Sequence, residues 1–205
     1  MKKKLVYGVG IMDADYTVQE FIYVLDENGK KKRKRIRVCP FYEKWKSMLA
    51  RCYYEQEQER HPTYKGCSVC EEWLTFSNFK RWMEKQDWQN RQLDKDILFP
   101  GNKVYSPDTC VFVDQRVNKF LTENTASRGE YLIGVCWRKD CNKFQAMCCD
   151  GKGRQKHLGY FNTEVEAHKI WLSFKLKVAQ ELASEQSDAR IAEALIDRYG
   201  TYNAN

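Results

Sequence analysis

The chain has 205 residues, of which 42% are hydrophobic and 14% aromatic, a composition that excludes an intrinsically disordered chain. No apolar run is long enough to cross a bilayer, and the formal net charge of +7 is modest. Nine cysteines without regular spacing argue against a secreted disulfide framework, so we expect a soluble, cytoplasmic protein with free thiols and no membrane partner.

Residues 1–39 are predicted to form a β region with a basic hairpin. The segment from Phe21 to Leu25 is a strand candidate, and Asn28-Gly29 is a strong hairpin signal. The returning strand, residues 32–38, is mostly cationic, so neither face of this ribbon is expected to be deeply buried. It is either a charged edge that blocks aggregation or a surface that lies on DNA phosphates. The cations assigned to phosphate contact are Lys31, Arg33 and Arg35.

Two helices are predicted in the next part of the chain. Proline is favoured in a first helical turn, so the first helix is expected to begin at Pro40. A second, shorter helix is expected to begin at Ser77. Helical spacing of apolar residues predicts that both pack on a core. The predicted core residues are Phe41, Trp45, Met48, Leu49, Cys52, Phe79, Trp82 and Met83.

The C-terminal part is predicted to contain three strands and two helices, after a polar linker at residues 122–129. The strands are expected at residues 131–137, 143–149 and 155–161. Thr163 and Glu166 form a capping box that opens a helix, and Ser187 is expected to cap a last helix within residues 184–205. The predicted core residues of these helices are Ala167, Ile170, Trp171, Phe174, Val178, Ile191, Leu195 and Tyr199.

Within residues 129–183, short motifs on the strands resemble a known DNA-binding module. Ile133-Gly134-Val135, Lys143-Phe144-Gln145-Ala146 and His157-Leu158-Gly159-Tyr160-Phe161 are similar to the Apetala or ethylene-response-factor domain. The resemblance implies a three-stranded antiparallel sheet, with a helix on one face and double-stranded DNA on the other. A small structural sheet is the alternative interpretation. The residues assigned to DNA contact are Arg138, Lys139, Lys143, Gln155 and His157, beside Met147 and Cys149.

A second resemblance covers residues 40–121. Its motifs are Leu93-Asp94-Lys95-Asp96 and the segment from Tyr105 to Val113, closed by Asn118. They resemble the bacteriophage HNH proteins, many of them homing endonucleases, that carry an Apetala-type module. The resemblance implies an α+β chain in which a ββα-metal core precedes the three-stranded sheet. A phage origin would place the protein in the host-cell cytoplasm.

The family's chemistry maps onto three candidate catalytic positions. Asp94 and Asn118 take the metal-binding positions, where oxygen ligands suit Mg²⁺ or Mn²⁺. The general-base position, however, is Lys95, and the middle Asn is replaced by Thr109. A lysine is a cation at neutral pH, so Lys95 is suited to gripping phosphate and is a poor base. The alternatives are a metal-dependent nicking or homing endonuclease and a scaffold of impaired activity that acts as a DNA-binding regulator or inhibitor.

Cys67 and Cys70 form a Cys-x-x-Cys pair, which is half of a tetrahedral zinc site. Completing the site requires two more ligands, for which Cys52 and Cys110 are candidates if the fold brings them close. The alternative interpretation is buried free thiols.

Overall fold

A computed structural model describes residues 5–121 and 130–200, so the predicted linker at residues 122–129 lies outside the described residues. Within the described ranges the fold is mixed α+β, with six α-helices and nine short strands. The chain divides into two compact units, Met1–Phe112 and Val113–Asn205. None of the helices in the described ranges combines the length and apolarity needed to span a bilayer.

The first unit contains most of the short elements. Its helices are α1 (Pro40–Tyr53), α2 (Glu55–Arg60) and α3 (Phe76–Met83), with 3₁₀ turns at Pro62–Tyr64 and Glu71–Leu74. Its strands are β1 (Gln19–Leu25), β2 (Lys31–Val38), β3 (Ser68–Val69), β4 (Gln92–Asp94) and β5 (Val104–Tyr105), and β6 (Val111–Val113) crosses into the second unit. Three two-stranded sheets result, β1-β2, β3-β5 and β4-β6.

The core of the first unit is aromatic and lies between α1, α3 and the turn that precedes α3. Trp45 and Trp73 are fully buried, and the Trp45 indole donates a hydrogen bond to the Trp73 carbonyl oxygen at 2.7 Å. The segment before β1 packs on this core, where a Cβ at Gly10 would lie 2.5 Å from Leu49 Cδ1. The predicted core residues of α1 and α3 are buried, with two corrections: Phe41 and Trp82 are only half-buried, and Tyr42 is buried in α1.

β1 and β2 form the predicted antiparallel ribbon, which we call the basic ribbon. Its turn is held by Asp26, whose Oδ1 accepts hydrogen bonds from the N–H groups of Asn28 and Lys30, and Gly29 supplies the positive φ of +74°. Every residue from position 31 to position 37 is exposed, and Tyr23 on β1 is 72% exposed. The prediction that neither face is deeply buried is therefore confirmed.

The second unit contains the predicted three-stranded sheet and its helix. Its helices are α4 (Gln115–Leu121), α5 (Glu164–Ser184) and α6 (Ala189–Gly200), and its strands are β7 (Val135–Arg138), β8 (Lys143–Cys149) and β9 (Gln155–Phe161). The strands pair antiparallel in the order β7-β8-β9, and α5 packs against the sheet. The predicted capping box is present, with Thr163 Oγ1 accepting from the Glu166 N–H at 3.2 Å.

Further features of the fold differ from the sequence predictions. α6 begins at Ala189, so Asp188 and not the predicted Ser187 precedes it, and Asp188 Oδ1 accepts from the Arg190 N–H at 3.0 Å. Phe174, predicted to be a core residue of α5, is only half-buried. β7 begins at Val135 and not at position 131, because the Val135 N–H donates to the Leu132 carbonyl oxygen and closes a turn. Ile170 is 41% exposed, so it lies outside the core stripe of α5. Residues 55–60 form the short helix α2, which is additional to the two helices predicted for this part of the chain.

Candidate functional site

The sheet of the second unit has one covered face and one open face. The face against α5 buries Ala146 and Cys148 completely or nearly so. Strand register assigns the alternate residues to the opposite face, which we call the free face. The free face consists of Cys136, Arg138, Lys143, Gln145, Met147, Cys149, Gln155, His157 and Tyr160.

The covered face is packed closely at the start of β7. The ring of Trp171 on α5 lies against Gly134, where an added Cβ would be 2.0 Å from Trp171 Cδ1. The ring of His168 stacks on Trp171 with centroids 5.6 Å apart, and its Nδ1 lies 2.9 Å from the Ile133 carbonyl oxygen. These contacts hold the start of the sheet on α5.

A β-bulge in β9 changes which residues reach the free face. The partner of Ala146 is Gly159 but the partner of Met147 is His157, so Leu158 has no partner on β8. The bulge therefore places Tyr160 beside His157, with ring centroids 4.7 Å apart. Sequence reasoning missed Tyr160, and the signal for it was Gly159, whose φ of +137° is a backbone conformation typical of glycine at a bulge.

The five residues assigned to DNA contact in the second unit all lie on the free face or in the turn that adjoins it. Arg138 and Lys143 are cross-strand partners at one end of the free face, and Lys139 lies exposed in the adjoining turn. Gln155 and His157 are exposed on β9. Arg138 pairs with Asp140 through Nε–Oδ1 at 3.1 Å and Nη2–Oδ2 at 3.3 Å. The Arg138 guanidinium, through its hydrogen bonds and charge, lowers the pKa of the Asp140 carboxyl.

In the basic ribbon, register separates the cations by face. Lys31, Arg33 and Arg35 lie opposite Leu25, Tyr23 and Phe21, whereas Lys32 and Lys34 point to the other face. The Arg33 guanidinium carbon lies 3.5 Å from the centroid of the Phe21 ring. Arg35 Nη2 contacts Glu43 Oε1 at 2.9 Å, which ties the ribbon to α1.

The Asp94 side chain closes the loop after β4. Its Oδ1 accepts hydrogen bonds from the backbone N–H groups of Asp96 and Ile97 at 2.9 and 2.8 Å. Burial and, secondarily, the charge of Asp96 raise the pKa of the Asp94 carboxyl. One carboxylate oxygen of the predicted metal ligand therefore serves the local turn.

Lys95 is buried, with only 6% of its surface exposed, and its Nζ donates to Asp96 Oδ2 at 3.0 Å. The ammonium group also lies 5.9 Å from the Tyr105 ring centroid. The described residues of the first unit include one histidine, His61. It is exposed and contacts Glu57 and Tyr64. The cluster thus places a paired cation, and no imidazole, at the predicted general-base position.

The other two residues predicted for this site lie as follows. Thr109 Oγ1 donates to the Val104 carbonyl oxygen at 2.7 Å, so the hydroxyl is engaged by the loop before β6. Asn118 lies on α4 in the second unit, whereas Asp94 and Lys95 belong to the first. Within the Asp94 cluster, Asp94 Oδ1 holds the turn and Asp96 Oδ2 pairs with Lys95.

The cysteines described by the structure are free thiols. Burial raises the pKa of both Cys52 and Cys110 to about 12, and the neighbours that influence Cys52 include Cys67. In residues 5–121 and 130–200, no three His, Cys, Asp or Glu side chains are grouped closely enough to hold a metal ion. Cys67 and Cys70 are thus not joined there by two further ligands of these types.

Comparison with known proteins returned no match: no family model, no curated protein and no solved structure is significantly similar to this chain.

Proposed function

We propose that this protein binds double-stranded DNA, with the free face of the β7–β9 sheet in the major groove and the basic ribbon on the phosphate backbone. The observation that carries the proposal is the sheet itself, covered by α5 on one side and open on the other, with cations at its edge. A β-ribbon is one of the two elements that the major groove admits, the other being an α-helix.

The side chains of the free face are suited to two kinds of contact. Arg138, Lys139 and Lys143 form a cationic end that matches phosphate oxygens, the commonest partners in protein–DNA interfaces. His157 in the middle of the face and Gln155 at its far end are exposed hydrogen-bonding groups. A glutamine amide matches the two edge atoms that adenine presents in the major groove, so these residues are the candidates for base reading.

The basic ribbon provides a test that separates contact from net charge. K31Q/R33Q and K32Q/K34Q each remove two cations from the same strand, but from opposite faces. If the face that carries Arg33 lies on DNA, K31Q/R33Q lowers the slope of log K against log salt by about 1.8, at about 0.9 per lost phosphate contact. The measurement is a salt titration of binding to a random-sequence duplex by fluorescence anisotropy.

K32Q/K34Q is the matched control and is expected to change the slope by much less. Equal slopes for both variants and the wild type would make the ribbon a solubility device. Failure of the wild-type protein to retain any duplex at low ionic strength would overturn the proposed function as a whole.

A second candidate function, metal-dependent DNA cleavage, is supported by one observation. β4 pairs with β6, and α4 follows β6 directly, which is the order of elements in a ββα core. The identity and pairing of Lys95 favour a scaffold that binds DNA without efficient cleavage. A positioned general base contributes about 10²–10⁴-fold to such reactions, and a buried, ion-paired lysine does not supply it.

We therefore expect wild-type protein to leave supercoiled plasmid intact in the presence of Mg²⁺ or Mn²⁺. The assay compares the rate of open-circle formation by wild type, Asp94→Ala and Lys95→His under the same conditions. Nicking by the wild type that disappears in Asp94→Ala would reverse the order of the two candidates. Nicking by Lys95→His alone would show that the scaffold lacks only its base.

A further inference from the structure

The second unit contains a cavity that the proposed DNA contacts do not use. It has a volume of about 510 Å³ and lies between α4, α5 and the turn that joins β8 to β9. Four of its lining residues are cationic, and no acidic side chain of the described residues lines it. The cations are Arg116, Lys119, Lys152 and Lys175. This concentration of positive charge around one concave space indicates an anionic ligand.

Two of the four cations have structural partners that fix the shape of the cavity. Arg116 Nε donates to the Gly151 carbonyl oxygen at 2.7 Å, and its Nη1 pairs with Glu185. Lys175 Nζ donates to the Phe120 carbonyl oxygen at 2.8 Å and lies 3.7 Å from the centroid of the Phe120 ring. Arg116 thus ties the β8–β9 turn to α4, and Lys175 ties α5 to α4.

The turn that forms one wall is held tightly against α5. Gly151 has a φ of +73°, and a Cβ there would lie 2.8 Å from Val178 Cγ1, so only glycine allows this approach. Asp150 Oδ1 accepts hydrogen bonds from the N–H groups of Lys152 and Arg154, which sets the conformation of the rest of the turn. Lys152, which is exposed, belongs to this turn, and Lys119, also exposed, lies on α4.

The cavity is continuous with the free face. Gln155 and Cys149 belong to both, since they form a cross-strand pair of the sheet and also line the cavity. A duplex that covers the free face as far as Gln155 brings its sugar–phosphate backbone to the mouth of the cavity. The opposite end of the same face carries Arg138 and Lys143.

We propose that this cavity binds a backbone phosphate of the DNA duplex and acts as a second anchor at the far end of the free face from Arg138. Lys119 and Lys152 contact the phosphate oxygens. Arg116 and Lys175 add positive charge, and their hydrogen bonds to backbone carbonyl oxygens hold the walls of the cavity in place. The inference rests on the proposed function, because it names where the same duplex is held. Backbone contacts of this kind set the register of a protein on DNA and carry no sequence information.

The test uses the full chain and the variant K119Q/K152Q, with K169Q/K177Q as the matched control. The control removes the same charge from exposed positions of α5 that do not line the cavity. If one phosphate is held there, K119Q/K152Q lowers the salt slope of duplex binding by about 0.9 and weakens binding roughly 10-fold near physiological salt. The control is expected to change the slope by much less.

A second measurement is independent of DNA. Titration of wild-type protein with inorganic phosphate is expected to shift the amide resonances of Lys152 and Gly153, and K119Q/K152Q is expected to abolish these shifts. Phosphate shifts without any duplex binding would overturn the proposed function and with it the DNA anchor, and would leave only a site for a free anion. Duplex binding with equal salt slopes in the two variants, and no phosphate shifts, would overturn the cavity and leave the proposed function standing.

Discussion

Replacing Arg138, Lys139 and Lys143 together by glutamine is expected to weaken duplex binding roughly 100-fold, at about 1 kcal/mol for each lost charge-assisted contact. The three residues are exposed at one end of the free face, where the cross-strand pairing of β7 and β8 places two of them side by side. Their loss leaves the sheet intact, since none is buried. Equilibrium binding to a random-sequence duplex at fixed salt measures the effect.

The control for this variant removes the same number of cations elsewhere. K85Q/K169Q/K177Q changes exposed lysines outside the free face and is expected to cost less than a factor of five in affinity. Asp140→Asn adds a test of sign. It releases Arg138 from its ion pair and removes a negative charge next to the DNA, so binding should tighten. Equal losses in both triple variants would show that the free face contributes only net charge.

Gly134→Ala is expected to destabilise the second unit by about 3 kcal/mol, the largest effect on stability that we predict. Its φ of +81° is a conformation that costs alanine about 1–2 kcal/mol. The new methyl group would also lie 2.0–2.3 Å from three atoms of the Trp171 ring. Overpacking of this kind costs about 1–3 kcal/mol more. The measurement is the opening free energy of β8 and β9 amides by hydrogen exchange.

Gly153→Ala separates the two contributions. Gly153 has a similar φ of +88°, but an added Cβ there meets no atom within 4 Å. It should therefore lower the opening free energy by only about 1–2 kcal/mol, the backbone part alone. Identical losses for the two alanine variants would contradict the tight packing of Trp171 on Gly134. Exchange in α1, which belongs to the first unit, serves as the internal reference.

The elements that sequence reasoning predicted well are those decided by neighbouring residues. The capping box between Thr163 and Glu166 is a local pair of hydrogen bonds, so it marks the start of α5 without knowledge of the rest of the fold. The Asn28-Gly29 turn similarly identifies the hairpin of the basic ribbon. Both signals act over four residues or fewer, the range within which a linear pattern is informative.

The candidate site was less predictable because its geometry depends on long-range pairing. Strand alternation alone assigns Tyr160 to the covered face, and only the shift of register against β8 moves it to the free face. The position of Asp94 followed from its motif, but the sequence did not reveal that its carboxylate holds its own loop. The cationic cavity lies between α4 and a turn more than 30 positions later in the chain, which the hydrogen bond from Arg116 to Gly151 brings together. No sequence motif predicts that these two segments lie close to each other.

The bulge in β9 has a consequence for shape as well as for side-chain order. An extra residue in one strand bends that strand and increases its local right-handed twist. The floor of the major groove also winds in a right-handed sense, so a saddle-curved sheet follows it over more base pairs than a flat one does. If the sheet lies in the major groove as proposed, the bulge at Leu158, which has no partner on β8, is expected to influence how many base pairs the sheet follows.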